Sequence, residues 1–153
     1  MLDVNFFDEI RIGLATALRK LSPNLLNSLA LTLPATLVSS LRGSLNGYVF
    51  SKWRFRGADL LFVLILFGMF IPYQSILIPL VRFLSVVGLY GRLSGLIIVH
   101  IVYGLPITTL VFRNYYKGIP QEIMSAAMMD SGSFWRIFWE IIIPMSGNIL
   151  IVV

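Results

Sequence analysis

Four stretches of this chain are apolar for nearly as long as a membrane is thick. Crossing ~30 Å of hydrocarbon takes roughly 20 apolar residues in a helix. Residues 25–50, 60–81, 93–112 and 138–153 meet or approach that length. The first is apolar to Leu41 and then small and polar through Arg42-Gly-Ser-Leu-Asn-Gly47. The second holds Pro72 and Pro79, and the third holds His100, Gly104 and Pro106. The fourth is still running at Val153, which predicts a further C-terminal part. The expected fold is all-α, a polytopic transmembrane helix bundle.

Composition points the same way. Charged residues make up 12% of the chain and hydrophobic ones 58%. A soluble domain carries about 25% charged residues and needs them to clothe its surface. Disordered chains are polar and charge-rich, so disorder is excluded too. Without cysteine there are no disulfides, thiolate metal sites or cysteine nucleophiles. The 12 basic residues against 7 acidic ones would suggest nucleic acid in a soluble domain. Here they read as charges flanking spans, with the lipid bilayer as partner and no nucleic acid.

Residues 1–24 read as an extramembrane N-terminal segment. Asp3, Asp8 and Glu9 stand where a signal peptide would be basic, so no such peptide is expected. Phe6, Phe7, Ile10, Leu14 and Leu18 recur at helical spacing, which suits an amphipathic helix on the membrane surface. Lys52, Arg54, Arg56, Arg113, Lys117 and Arg136 fall on one side of the spans. Arg11, Arg19, Lys20, Arg82 and Arg92 fall on the other, with Arg42 inside a span near enough to its end to snorkel. The count is nearly even. The Lys52-Trp-Arg-Phe-Arg56 cluster occupies a very short loop, where the positive-inside rule is strongest, and it places 51–58 and 113–137 in the cytoplasm.

Gly43-xxx-Gly47 and Gly91-xxx-Gly95 both read as small-residue packing between helices. In Phe70-Ile-Pro-Tyr-Gln-Ser75, Pro72 interrupts helical bonding while Tyr73, Gln74 and Ser75 add polar groups to an apolar run. Broken helices at membrane depth need protein or a water-filled cavity around them. Two readings stay open, a pathway-lining hinge and a bend held by a neighbouring helix. Tyr73, Gln74 and His100 are the candidate pathway-lining residues. His100 equally suits a hydrogen bond to a neighbouring helix, since no span carries a carboxylate partner in its middle.

Nothing in the sequence suggests an enzyme. There is one histidine, and no lysine closes a GxxxxGK[ST] phosphate loop. The carboxylates are scattered, so no catalytic or metal-ligating set and no cofactor is expected.

The segment 113–137 is too long for a simple connector. Gly118-Ile-Pro120 predicts a helix start with Pro120 at the first helical position and Glu122 favourably placed in the first turn. Ile123, Ala126, Ala127 and Asp130 recur at i, i+3, i+4 and i+7, giving a face small enough for close approach by another protein. Asp130-Ser-Gly132 breaks that helix, and Phe134-Trp-Arg-Ile-Phe-Trp139 starts another with aromatics suited to the membrane boundary. Pro144 bends the start of the last span.

The run from Pro120 to Pro144 resembles the EAA loop of ABC-importer permeases. Ala126, Ala127, Asp130, Trp135, Phe138, Ile141 and Pro144 match that pattern without a gap. Ser125 stands where the family carries Glu, and Ser131 where it carries Gly, with Gly132 one place later. Asn27-Ser-Leu, Lys52-Trp-Arg-Phe-Arg-Gly57, Gly68-Met-Phe-Ile-Pro72, Leu77-Ile-Pro79 and Gly104-Leu-Pro106 extend the likeness to the carbohydrate, maltose-type branch.

The resemblance implies a permease domain over 25–153, with about four spans visible of six. It implies an inner-membrane, multi-pass subunit of an ATP-binding-cassette importer, carrying a sugar. Its implied partners are a cytoplasmic ABC ATPase dimer, a second permease subunit and an extracytoplasmic solute-binding protein. The implied coupling residues are Pro120, Glu122, Ser125, Ala126, Ala127, Asp130, Ser131 and Gly132. A non-transporting membrane scaffold, or a degenerate permease fragment, is the alternative.

Overall fold

The computed structural model describes residues 4–53 and 55–152. Asp3, Arg54 and Val153 lie outside them, and the side chains of Phe6, Phe7 and Ser131 are likewise not described. Among the described residues the chain is a bundle of helices without strands.

Helix α1 runs unbroken from Val4 to Lys52, 49 residues. The sequence suggested a separate surface segment ending at residue 24, yet Pro23 and Pro34 both lie inside this helix. A proline removes one backbone donor and strains one turn, and a long helix whose neighbouring turns are bonded can absorb that. The N-terminal segment and the first span are therefore one element.

The second expected span is not straight. Helix α2 (Ala58–Phe67) passes into a 3-10 turn over Gly68–Phe70, and helix α3 (Tyr73–Val86) restarts beyond Pro72. The two arms meet at 97°. Pro72 fixes its own φ and holds the residue before it out of the helical region, and Ile71 is accordingly extended (φ −82°, ψ 113°).

Helix α4 spans Leu93–Lys117 and runs past the expected end at residue 112. Helix α5 covers Gln121–Ser131, and the chain then stays helical through α6 (Phe134–Ile137), a π turn (Phe138–Ile142), α7 (Ile143–Met145) and α8 (Gly147–Val152). The expected fourth span is thus interrupted. Pro144 has no N–H to give to the carbonyl of Glu140, and the ladder widens so that the Ile143 amide bonds Phe138 instead. By length and composition α1 and α4 can cross a membrane, and the α2–α3 pair makes a third crossing if counted as one.

The α1–α4 pair is the frame. The two helices run parallel, with Ser39 beside Gly104, Gly43 beside Thr108 and Gly47 beside Phe112. A Cβ at Gly43 would overlap the Thr108 side chain, and one at Gly47 would come within 2.7 Å of the Arg113 amide nitrogen. Small residues let the backbones close up, as Gly43-xxx-Gly47 suggested. The Thr108 hydroxyl donates across the seam to the Ser39 carbonyl at 3.1 Å, and Asn46 Nδ2 to Thr109 Oγ1 at 3.3 Å. Gly91-xxx-Gly95 does something else. Gly91 takes φ +72° in the turn before α4, and Gly95 makes room for the Leu89 carbonyl. It shapes a turn, not a helix–helix contact.

Candidate functional site: the segment beneath the paired helices

The C-terminal ends of α1 and α4 emerge together, and α5 hangs beneath them. Lys52 Nζ donates to the Ile119 carbonyl at 2.6 Å, just ahead of Pro120. Pro120 is the N-cap rather than the first helical residue, with ψ 142° outside the helical range. Glu122 falls in the first turn, where a carboxylate favours the unpaired N–H groups. At the far end Gly132 adopts φ +60° and its amide bonds the Met128 carbonyl at 3.0 Å. The left-handed cap therefore sits at Gly132, and the Ser131 backbone stays helical.

The two faces of α5 differ. Met124 and Ala127 are buried, packed in one cluster with Tyr48, Tyr116, Ile119, Ile137 and Phe138. The Tyr48 ring lies 5.0 Å from Phe134 and 5.7 Å from Phe138, and Trp53 lies 5.2 Å from Phe134. The opposite face presents Glu122, Ile123, Ser125, Ala126, Met129 and Asp130 to solvent, with Met129 82% exposed. The sequence pattern put Ala126 and Ala127 on one approachable face. Successive helical residues diverge by about 100°, which here turns Ala127 into the cluster around Tyr48 and leaves its neighbour outside. Ala126 looks outward, and Ala127 is part of the interior.

A buried hydroxyl chain secures the same region. Tyr116 OH meets Ser44 Oγ at 2.6 Å and Ser146 Oγ at 2.7 Å, and Ser146 also donates to the Ile142 carbonyl at 2.5 Å. Tyr115 donates to the Met145 carbonyl at 2.6 Å. These bonds tie α1, α4 and the turn after α7 into one block. Arg113 adds α2. Its guanidinium donates to the Phe50 carbonyl (3.3 Å) and to Asp59 Oδ1 (2.8 Å), and stacks 3.8 Å above the Phe62 ring.

Higher in the bundle, a cavity of about 820 Å³ lies between α3, α4 and the flank of α1. Tyr73 and His100 both line it, together with Asn27, Tyr90, Arg92 and Tyr103. The Tyr103 hydroxyl is buried and has no hydrogen-bond partner among the described residues. Gln74 is exposed and does not reach this cavity. His100 Nδ1 lies 2.8 Å from the Leu96 carbonyl of its own helix, not of a neighbouring one.

Sequence reasoning missed Lys52, Asp59, Arg113 and Tyr116 as site residues. The two cations were read only as orientation charges. Their hydrogen-bond partners are backbone carbonyls and a residue 54 positions away, which no local pattern reveals.

Residues 35–153 match the family model for the binding-protein-dependent transport system inner membrane component. A probable ABC transporter permease protein of Pyrococcus horikoshii is 50% identical over 101 residues, 65% of this chain and 37% of the relative. The xylose/arabinose import permease protein of Haloferax volcanii is 34% identical over 148 residues, 85% of this chain and 48% of its own length. The glucose import system permease protein of Saccharolobus solfataricus is 30% identical over 138 residues, 86% and 48% respectively. The chain thus spans less than half the length of each of these three relatives.

Proposed function

Because this chain belongs to the family of binding-protein-dependent transport system inner membrane components, we propose that it acts as a permease subunit of an ATP-binding-cassette importer for a sugar. The names of the xylose/arabinose and glucose relatives support the cargo class. In this reading α5 is the coupling helix. It seats on a cytoplasmic ATPase dimer, and ATP-driven closure of that dimer moves the α1–α4 frame between inward- and outward-facing arrangements. A second permease subunit completes the pathway, and an extracytoplasmic binding protein delivers the sugar.

One observation carries the proposal: α5 is anchored through Met124 and Ala127 while Glu122, Ile123, Ala126, Met129 and Asp130 remain free to meet a partner. A helix held on one side and open on the other can transmit force without unfolding. Pro120 and Gly132 set its two ends, and Ser125 lies on the open side. Tyr73 and His100, at the wall of the 820 Å³ cavity, are the residues proposed to line the sugar's route.

The test is co-purification of the full protein with its ATPase and companion permease. Ala126→Arg, on the open face, should abolish ATPase binding while leaving membrane insertion intact. Binding that survives Ala126→Arg and Met129→Asp together would sink the docking role of α5.

A further inference from the structure

Arg113 joins its own helix to two others at once. It sits one turn before the end of α4, and its side chain is only 12% exposed. Nε reaches the Phe50 carbonyl near the end of α1, and a terminal nitrogen reaches Asp59 in the first turn of α2. The flat face of the guanidinium covers the Phe62 ring. Its backbone amide is also packed against Gly47. Among the described residues, Arg113–Asp59 is the sole ion pair joining two different elements, since Arg136–Glu140 lies within one helical turn.

Energetics argue against stability as the main role of the Asp59 bond. The Asp59 side chain is 92% exposed. An ion pair open to solvent on one side contributes little to folding and is weakened by salt. Geometry is a different matter. A planar fork fixes direction as well as distance, and a lysine could not serve the Phe50 carbonyl, Asp59 and the Phe62 face together. The α1–α4 pair is locked by buried hydroxyls and small-residue packing and holds α5 through Met124, Ala127 and Lys52, whereas α2 and the 3-10 turn after it meet that block at Arg113 and where Gly68 approaches Pro106.

We infer that Arg113 is a positioning residue that transmits displacement of α5 to the α2–α3 elbow, with Asp59 as the grip on α2. This rests on the proposed coupling role of α5. When α5 moves, Lys52 and the core around Ala127 carry α1 and α4 with it. Arg113, rooted in α4, then draws the start of α2. The elbow at Ile71-Pro72 turns that pull into a change at the cavity lined by Tyr73.

The test has two arms, both on the full-length protein in a bilayer. Cysteine is absent from this chain, so Leu64→Cys on α2 and Gln121→Cys on α5 give a unique spin-label pair here. The inter-label distance distribution should be narrow, and Asp59→Asn should broaden it at least about twofold while Asp59→Glu restores it. In the assembled transporter, Asp59→Asn should lower sugar imported per ATP hydrolysed by roughly three- to tenfold, with assembly and ATPase activity retained. An unchanged distribution, or an unchanged import-to-hydrolysis ratio, would overturn the inference. A wild-type complex that assembles but imports nothing with ATP overturns the transport reading and this inference with it, whereas coupled wild-type import that Asp59→Asn leaves intact overturns only the inference.

Discussion

The ammonium of Lys52, the last residue of α1, is bonded to the carbonyl of Ile119, two residues ahead of α5, at 2.6 Å. One long side chain thereby fixes where the suspended helix begins. Lys52→Met keeps the aliphatic stem and removes the donor, at a cost of about 1.5–3 kcal/mol for a charged hydrogen bond. Amide hydrogen exchange across 121–131 should accelerate by roughly tenfold or more, while exchange in the middle of α4 stays unchanged. Equal protection in both proteins would show that Met124 and Ala127 hold α5 alone.

The two neighbouring alanines should respond in opposite ways. Ala127→Arg forces a cation into the cluster around Tyr48 and Tyr116 and should destabilise the protein by about 3 kcal/mol or more. Ala126→Arg faces solvent and should shift stability by no more than about 0.5 kcal/mol. Thermal unfolding in detergent separates the two directly.

At the α1–α4 seam, Gly47→Ala places a methyl against the backbone at Phe112 and Arg113 and should cost about 1–3 kcal/mol through overpacking. Gly13→Ala meets nothing within 4 Å and should be neutral or stabilising by up to about 1 kcal/mol. The contrast, measured by melting temperature, checks that the loss comes from packing and not from changing a glycine as such.

Tyr116→Phe deletes the hydroxyl shared by Ser44 and Ser146. Ser146 keeps its bond to the Ile142 carbonyl, but Ser44 is left buried without this partner. The expected loss is about 1–3 kcal/mol. In the double variant Ser44→Ala/Tyr116→Phe part of it should return, because no orphaned hydroxyl remains. A double-mutant cycle on thermal stability measures the coupling.

Much of this architecture is readable along the chain. The small residues from Ser39 to Gly47 announce close helix contact, and Gly132 announces where α5 stops. Pro72 marks the break in the second apolar stretch. The angle of that break is not readable, because hydropathy records how apolar a segment is and says nothing of its direction. The continuity of α1 was not readable either, because an amphipathic start and the apolar stretch after it look like separate segments although one helix carries both. The face of α5 was ambiguous for a geometric reason. Ile123–Ala126–Asp130 and Met124–Ala127 both satisfy helical spacing, and only packing against Tyr48 selects the inward pair. The ties through Lys52 and Arg113 depend on residues more than 50 positions apart and emerge only once α1 and α4 are side by side.

The unbroken course of α1 has a mechanical corollary. Tyr48 and Lys52 are gripped at one end, and the described side chains before Leu31 are solvent-exposed, so none of the described residues packs over the helix there. At ~1.5 Å of rise per residue, Asp8 lies about 60 Å from Tyr48 along the axis, so a tilt of about 5° at the gripped end sweeps the free end through roughly 5 Å. Such a rod magnifies a small angular change at Tyr48 into a displacement of several ångströms at its far end.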